Sequence, residues 1–257
     1  MLRELSAPQI VVVRRPQADT EPHRMLPIGE AEHRQKALRA CAEAFLTPRI
    51  LVCEGKTEMG LIRGLDLYWH EHGEPTLARC GVYAADGGGA EALNRAMVFV
   101  ELGYETAMLR DDDVRLSTTD LTKLTTAGIC IFQWENHQSF EQALISACPV
   151  EALEKLLDIA IETRGEESIA ADIEAVSSGA FSLTHCRAGC DAPEVRDVLT
   201  KASVRKSGWF KLIEPGERIG YEVVLYHWEA LDVSFRKIVA DVQDWIREKV
   251  IDYHGNA

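Results

Sequence analysis

Long apolar runs are missing from this sequence. No stretch of about 18 consecutive apolar residues occurs, and a membrane-spanning helix needs roughly that length. The opening residues, MLRELSAPQI, also lack the apolar core of a secretory signal peptide. These absences argue against a membrane protein and against an exported one, so the sequence predicts a cytoplasmic protein that has no membrane partner.

Paired cysteine motifs are missing as well. The seven cysteines are scattered, and several lie inside apolar runs such as LVCEG and GICIF. Reduced thiols in a core explain such positions better than disulfides do. His185, Cys186 and Cys190 are a weak zinc candidate, because they lack the paired C-x-x-C elements of a structural zinc site.

Basic residues are scarce relative to acidic ones. The chain has 28 Lys and Arg against 41 Asp and Glu, which gives a net charge of −13. That balance excludes a protein whose whole surface binds nucleic acid. It does not exclude an enzyme that holds divalent cations among carboxylates, because a bound metal reverses the local field.

A complete nucleotide-binding loop is also absent. The stretch RILVCEGKTE, at residues 49–58, contains a Gly-Lys-Thr that is typical of P-loops. Such a loop needs a further glycine five residues before Gly55. That position is Ile50, which lies inside a predicted strand, so the sequence argues against a nucleotide-phosphate site here.

What the sequence does contain is an alternation of short apolar strands and helices. The strands are predicted at RILVCEG, CGVYAAD, ETAMLRDDD and GICIFQW, and the helices at 59–71, 90–102, 120–126 and 139–147. This order predicts an α/β fold, in which a mostly parallel sheet of about four strands is flanked by helices.

The regions on either side have a different pattern. The first residues predict one strand, QIVVVRR, then a polar linker and a helix over 30–45. After Pro149 no strand is predicted, and helices are expected over 150–163, 170–175, 193–203 and 220–253. The sequence therefore predicts a linker strand and helix at 1–47, an α/β core at 48–148 and a helical extension at 149–257.

Acidic residues follow two of the predicted strands where each strand ends. Glu54 follows the first strand of the core, and Asp111, Asp112 and Asp113 end the third. The carboxyl ends of parallel strands share one edge of a sheet, so Glu54, Asp111 and Asp113 are expected to converge, with Glu58 nearby. Asp112 is expected to face away and to cap the next turn. Capping and solvation explain either motif alone, but together they favour an oxygen-ligand site for Mg²⁺ or Mn²⁺.

A family resemblance rests on these same motifs. EGKTE, followed by a strand that ends in D-x-D, resembles the Toprim domain of topoisomerases, primases and small repair nucleases. The EGxTE form, the GGG loop at 87–89 and the LRDDD ending are most similar to the overcoming-lysogenization-defect (OLD) nucleases. The later segments WENHQSFEQAL and RKSGWFK resemble that family's additional acidic and lysine motifs. The resemblance covers residues 1–215, and it makes 48–148 a Toprim catalytic core.

The resemblance implies a metal-dependent DNA endonuclease that uses two ions. The implied metal ligands are Glu54, Glu58, Asp111, Asp113 and Glu141, and the implied catalytic residues are Glu54 and Lys206. A second tier comprises Ser139, Asp112, Lys211 as a competitor of Lys206, and Glu135 as a rival of Glu141. The expected cofactor is Mg²⁺ or Mn²⁺, and Ca²⁺ is expected to occupy the site without supporting catalysis. His137 is expected to be a polar loop residue.

The resemblance also implies partners. OLD proteins join an N-terminal ABC-type ATPase to a C-terminal Toprim nuclease, and no Walker A motif occurs here. The chain is therefore expected to be the nuclease part of a longer protein that contains such an ATPase. DNA is the expected substrate, and the sequence is compatible with a homo-oligomer.

Two other interpretations stay open. A phosphatase of the aspartyl-phosphate type needs D-x-D after an early first strand, whereas here the motif follows the third strand and EGKTE stays unexplained. A degenerate Toprim module that only binds nucleic acid or a partner would not need the full set of acids, yet all of the expected acids are present.

Overall fold

The computed structural model describes residues 2–15, 22–205 and 208–250 of the chain. Its first regular elements are β1 (Val11–Arg14) and β2 (Arg24–Pro27), which pair as a two-stranded antiparallel sheet, and α1 (Glu32–Ala40). The sequence predicts β1 and α1 but misses β2. The residues of β2 are mostly exposed and lack apolar alternation, so only the pairing with β1 defines this strand.

A four-stranded parallel sheet forms the centre of the molecule. Its strands are β3 (Arg49–Cys53), β4 (Val82–Asp86), β5 (Glu105–Arg110) and β6 (Cys130–Gln133). They lie in the order β4-β3-β5-β6, and each neighbouring pair is parallel. The predicted α/β fold is therefore confirmed. Since the four strands run in one direction, the residues that follow them lie at one edge of the sheet, the carboxyl edge.

Helices cover both faces of this sheet. The helices between the strands and after β6 are α2 (Lys56–Glu71), α3 (Ala92–Glu101), α4 (Thr118–Thr126) and α5 (Phe140–Ala147). Leu51 and Cys53 of β3 pack in an apolar cluster with α2 and α5, whereas Ile50 and Val52 pack in a second cluster with α1 and α3. Burial on both faces explains why β3 is an unbroken apolar run rather than an alternating one.

The described part of the extension after residue 149 consists of helices and the loops that join them, without a strand. Its α-helices are α6 (Val150–Arg164), α7 (Glu166–Ser177), α8 (Leu183–Ala188), α9 (Pro193–Ser203), α10 (Ile213–Arg218) and α11 (Val233–Arg247). The sequence misses α8 and α10, which are only six residues long each. Such short helices present less than two full turns of periodicity, so their pattern is hard to read.

The single helix predicted over 220–253 is wrong. A π-helical segment (Ile219–Leu225) continues α10, a 3₁₀ turn follows at Trp228–Ala230, and α11 begins only at Val233. The physical reason is a new helix start: the Asp232 side chain accepts a hydrogen bond from the Ser234 amide at 2.8 Å and caps α11. The end predicted at residue 253 lies outside the described residues.

Glycines join α2 to the extension. A Cβ on Gly60 would overlap the carbonyl of Ile213, and a Cβ on Gly64 would overlap that of Glu217. Gly216 and Gly220 meet the backbone of α2 in the same way from the other side. We call these four residues the glycine seam. Because the backbones touch here, the seam fixes the first turn of α2 against the extension.

One apolar cluster runs from the sheet into the extension, since it contains Leu51 and Phe140 together with Val198 and Phe235. The division at residues 47/48 and 148/149 stays a prediction. Among the described residues, no helix has both the length and the apolar composition that a membrane crossing requires.

Candidate metal centre

The turn after β3 places two glutamates at the carboxyl edge of the sheet. Glu54 continues the strand, and its amide donates to the Leu109 carbonyl of β5 at 2.8 Å. Gly55 is the N-cap of α2, and its amide donates to the Glu58 carboxylate at 3.0 Å. Glu58 is 4% exposed. The EGKTE motif is thus a strand-to-helix turn, and Glu58 is buried in the first turn of α2. Ile50 lies inside β3, so the glycine that a P-loop needs at this position is absent.

The GGG loop supports this turn. The amide of Gly87 donates to the Cys53 carbonyl at 2.6 Å, and the amide of Gly89 donates to the Glu54 carbonyl at 2.7 Å. A Cβ on Gly87 would overlap the Cys53 carbonyl, so only glycine allows this approach. The loop therefore holds the backbone of Glu54 in place.

Asp111 links three elements of the site. It follows β5, and its amide donates to the Glu54 carboxylate at 3.1 Å. Its own carboxylate accepts a hydrogen bond from the Phe140 amide, at the start of α5, at 2.8 Å. Asp111 is 8% exposed. The carboxyl ends of β3 and β5 therefore meet as the sequence predicts, and α5 is joined to them.

Glu141 and Ser139 enter the site from α5. Ser139 is the N-cap of this helix, and its hydroxyl donates to Glu141 Oε2 at 3.1 Å. Glu141 is 1% exposed, and its Oε1 lies 3.2 Å from the ammonium of Lys211. That contact lacks the direction of a hydrogen bond, so among the described residues the buried Oε1 has a cation beside it but no hydrogen-bond donor. Such an atom is costly unless a positive charge balances it.

Burial, together with repulsion between neighbouring carboxylates, raises the pKa of three of these carboxyl groups, those of Glu54, Glu58 and Asp111. Burial, followed by the charges of Glu58 and Glu141, raises the pKa of Asp111 to about 9. Burial also raises the pKa of Glu58 to about 7, and Glu141 adds to that shift. The pKa of Glu54 is raised in the same sense, mainly by burial. The site therefore contains more carboxyl groups than its own cations can keep ionised, which is the condition that favours a bound metal.

The structure places the lysines unequally. Lys211 lies beside Glu141, and although burial disfavours its charged form, the Glu141 carboxylate holds its pKa above the usual value. The hydroxyl of Thr57 donates to the Phe210 carbonyl at 2.9 Å, which ties the segment that carries Lys211 to the start of α2. Lys206, the lysine that the motif predicts, lies outside the described residues.

The other predicted acids lie away from the buried group. Asp113 is exposed, although its charge contributes to the raised pKa of Glu54. Glu135 is exposed and lines a separate cavity with Asp232 and Phe235. The residues brought together are thus Glu54, Glu58, Asp111, Glu141, Ser139 and Lys211.

Asp112 does not cap the next turn, which corrects the prediction. Ser117 is the N-cap of α4, and its hydroxyl accepts from the Asp120 amide at 3.0 Å. The Asp112 carboxylate instead accepts from the amide of His137 at 3.0 Å. The cap fell to Ser117 because it directly precedes α4, whereas Asp112 faces the loop after β6.

Sequence reasoning missed Arg110, the last residue of β5. Its side chain is 5% exposed, and its Nε lies 3.8 Å from Glu54 Oε2. It donates to the Val114 carbonyl at 2.6 Å and to the Gln133 amide oxygen at 3.2 Å. Arg110 thus holds the turn that follows Asp111. The sequence feature that could have indicated Arg110 is an arginine that directly follows the apolar residues of ETAMLRDDD, at the end of a predicted buried strand.

The zinc candidate is not assembled. Cys190 lies with its thiol 3.0 Å from the Cys186 carbonyl, and burial raises the pKa of both cysteines. Within residues 2–15, 22–205 and 208–250, no group of three or more His, Cys, Asp or Glu side chains is arranged so that it could hold a metal ion. The same finding applies to the acidic group. There, backbone amides of Gly55, Asp111 and Phe140 donate hydrogen bonds to carboxylate oxygens.

Comparison with known proteins gives little beyond the fold. No family model matches this chain, and no curated protein matches it. Among solved structures, the C-terminal region of the OLD protein of Xanthomonas campestris pv. campestris is similar over 73% of this chain and 99% of that chain, with 13% identity and a TM-score of 0.36. This is a weak, fold-level resemblance, so the argument for the site rests on its residues.

Proposed function

We propose that this chain is a metal-dependent phosphodiesterase that cleaves DNA with Mg²⁺ or Mn²⁺. The observation that carries the proposal is the convergence of Glu54, Glu58, Asp111 and Glu141 at the carboxyl edge of a parallel sheet. Ligands and reactive groups of open α/β sheets lie at this edge. Several buried carboxylates at one place are destabilising without cations, so a purely structural role explains them poorly.

The residues present fit hard divalent cations. The donors are all carboxylate oxygens, which Mg²⁺ and Mn²⁺ prefer, and the buried Glu141 Oε1 accepts no hydrogen bond from the described residues, with only the Lys211 ammonium beside it there. Glu54, Glu58, Asp111 and Glu141 would hold the metal, with the exposed Asp113 joining from the same turn. When bound, two such cations supply the charge that activates water and stabilises the departing oxygen of a phosphodiester.

The protein's own groups contribute binding and positioning. The Lys211 ammonium lies next to Glu141 and would offset negative charge on the substrate phosphate. Lys206 stays the prediction of the motif for the same role. DNA as the substrate, and an ABC-type ATPase elsewhere in a longer protein, are proposed from the resemblance of EGKTE, LRDDD and SFEQAL to the OLD motifs.

A plasmid assay with a metal series tests this function. We expect the protein to nick or linearise plasmid with Mg²⁺ or Mn²⁺, to lose that activity with EDTA, and to stay inactive with Ca²⁺. Glu54→Ala and Asp111→Ala are expected to abolish cleavage, because each removes a metal ligand. Removal of one essential group typically lowers the rate by a factor on the order of 10² or more.

Glu135→Ala is the matched control, since Glu135 is an exposed acid that lines a different cavity. Circular dichroism of each variant verifies the fold. Normal cleavage by Glu54→Ala or Asp111→Ala would show that the site is assigned wrongly. If the wild-type protein binds metal and DNA but does not cleave DNA with any cation of the series, it is instead a binding module.

A further inference from the structure

Three polar side chains form a chain beside the acidic group. The Asp112 carboxylate lies 3.0 Å from Nδ1 of His137. On the other side of the same ring, Nε2 of His137 lies 2.7 Å from Nη2 of Arg115. This contact orients the guanidinium of Arg115. Because Arg115 is exposed, the guanidinium remains accessible.

The chemistry of the three groups fixes the direction of each bond. A guanidinium only donates, so Nε2 of His137 must accept from Arg115 and the ring proton must lie on Nδ1. That proton is donated to Asp112. An imidazole held by a carboxylate in one tautomer is a common means of orienting a functional group. Here the group that becomes oriented is Arg115.

The loop that carries His137 is held in a strained conformation. Asn136 and His137 both have positive φ angles, 62° and 58°, which non-glycine residues adopt rarely. The Asp112 amide donates to the Gln138 carbonyl at 3.0 Å, and the Asp112 carboxylate also accepts from the His137 amide. Strain of this kind persists where surrounding contacts enforce it, and it is concentrated at functional sites.

Arg115 shares a cleft with Glu54, one member of the acidic group. A cavity of about 420 Å³ is lined by Glu54 and Arg115, together with Arg110, Ser117, Gly89 and their neighbours. Arg110 is nearly buried and already donates to Val114 and Gln133, and Asp120 is engaged by Ser117 and Lys123. Among the described residues that line this cleft, Arg115 is therefore the exposed cation.

We propose that Arg115 binds a phosphate of the substrate strand adjacent to the phosphate that is cleaved, and that Asp112 and His137 are positioning residues for it. The proposal rests on the proposed function for the identity of the substrate. Arginine matches a phosphate with two parallel hydrogen bonds, and its value depends on the orientation of its planar group. An orienting chain of two residues explains why Asp112 faces the loop after β6 and why that loop is strained.

Two substrates separate this subsite from the cleavage site. A single-stranded oligonucleotide has neighbouring phosphates, whereas bis(p-nitrophenyl) phosphate has one phosphodiester and none beside it. With Mn²⁺, Arg115→Ala is expected to raise KM for the oligonucleotide about tenfold with little change in kcat. Hydrolysis of bis(p-nitrophenyl) phosphate is expected to be unchanged. Arg79→Ala is the matched control, because Arg79 is exposed and precedes β4 at the opposite edge of the sheet.

A double-mutant cycle tests the positioning residues. His137→Ala and Asp112→Asn are each expected to raise KM for the oligonucleotide, by less than Arg115→Ala does. Added to Arg115→Ala, either change is expected to have no further effect, because the group that it orients is gone. Full additivity would show that His137 and Asp112 act independently of Arg115.

A binding measurement keeps the proposal testable if the wild type cleaves neither substrate. Fluorescence anisotropy of the labelled oligonucleotide with Ca²⁺ is expected to show about tenfold weaker binding by Arg115→Ala. For Arg115→Ala, the slope of log Kd against log salt concentration is expected to be smaller by about 0.7, which is the contribution of one phosphate contact. Absence of cleavage would refute the proposed function alone. The role of Arg115 would be overturned if Arg115→Ala kept the KM and Kd of the wild type. It would also be overturned if the variant lost activity equally on the oligonucleotide and on bis(p-nitrophenyl) phosphate.

Discussion

Glu58 and Asp111 hold protons at pH values at which the unfolded chain has lost them. The folded-state pKa is about 7 for Glu58 and about 9 for Asp111, against ordinary values of 4.5 and 3.8. Between the ordinary and the raised values, the folded protein binds more protons than the unfolded one. The contribution of these groups to the free energy of unfolding is therefore greatest at low pH and is lost as pH rises through the raised values.

We predict that the EDTA-treated protein loses part of its stability between about pH 5 and pH 8, and that Glu58→Gln reduces this dependence. Glutamine keeps the size of the side chain and has no proton to lose. Urea denaturation at a series of pH values measures both proteins. Addition of Mn²⁺ near pH 8 should restore stability to the wild type, because metal binds the folded state alone. If the free energy of unfolding depends on pH in Glu58→Gln as it does in the wild type, Glu58 does not cause the loss of stability.

Lys211 is the second prediction at the scale of one residue. The motif predicts Lys206 as the catalytic lysine, and this stays a prediction, while the structure gives Lys211 a contact of 3.2 Å with Glu141. We expect Lys211→Ala to lower kcat for plasmid cleavage by a factor on the order of 10², since it removes a cation from the place where we propose that the substrate phosphate binds. Lys206→Ala, assayed beside it, shows which lysine matters more. A wild-type kcat for Lys211→Ala would leave that role to Lys206.

Helix α2 is the element on which the site depends most. It begins at Lys56, carries Glu58 in its first turn, and contacts the extension backbone through Gly60 and Gly64. Glycine within a helix normally destabilises it by about 1 kcal/mol relative to alanine. Here the absence of a side chain allows the approach of α10, so the usual ranking is reversed.

We predict that Gly64→Ala lowers the free energy of unfolding by about 1–3 kcal/mol, because the added Cβ would overlap the Glu217 carbonyl. Helix propensity alone predicts the opposite sign, so urea denaturation distinguishes the two effects. Leu67→Ala is the control on the same helix, since Leu67 is 46% exposed and a change there should stay within about 0.5 kcal/mol. A more stable Gly64→Ala protein would contradict the contact between α2 and α10.

Sequence reasoning succeeds for the four strands of the parallel sheet and for α2 through α5, because their apolar periods are long enough to read. It fails at α10 for a definite reason. The sequence IEPGER contains Pro215 and Gly216, which usually interrupt helices. In the structure Pro215 lies in the first turn, where its missing N–H is tolerated, and Gly216 is needed for close packing on α2. Tertiary packing, rather than local preference, decides this element.

At the scale of the whole molecule, the position of the acidic residues was predictable and the directions of their side chains were not. Parallel topology alone brings Glu54 and Asp111 to one edge, and it requires only the order of the elements. The partner of Asp112 depends on the path of the loop after β6, which sequence periodicity does not encode. The same holds for Arg110, whose contacts with Val114 and Gln133 come from two different strand ends.

The glycine seam has a further consequence, for how this chain can be divided. The two backbones at the seam touch without side chains between them, and the apolar cluster of the sheet continues across the same boundary, so parting them would expose apolar side chains to water. A recombination event or an expression fragment that stops at residue 148 would expose this face of α2 and would remove Lys211 from Glu141. The acids of the sheet and Lys211 therefore have to be kept on one chain, because a fragment without the extension loses both the packing of α2 and the cation beside Glu141.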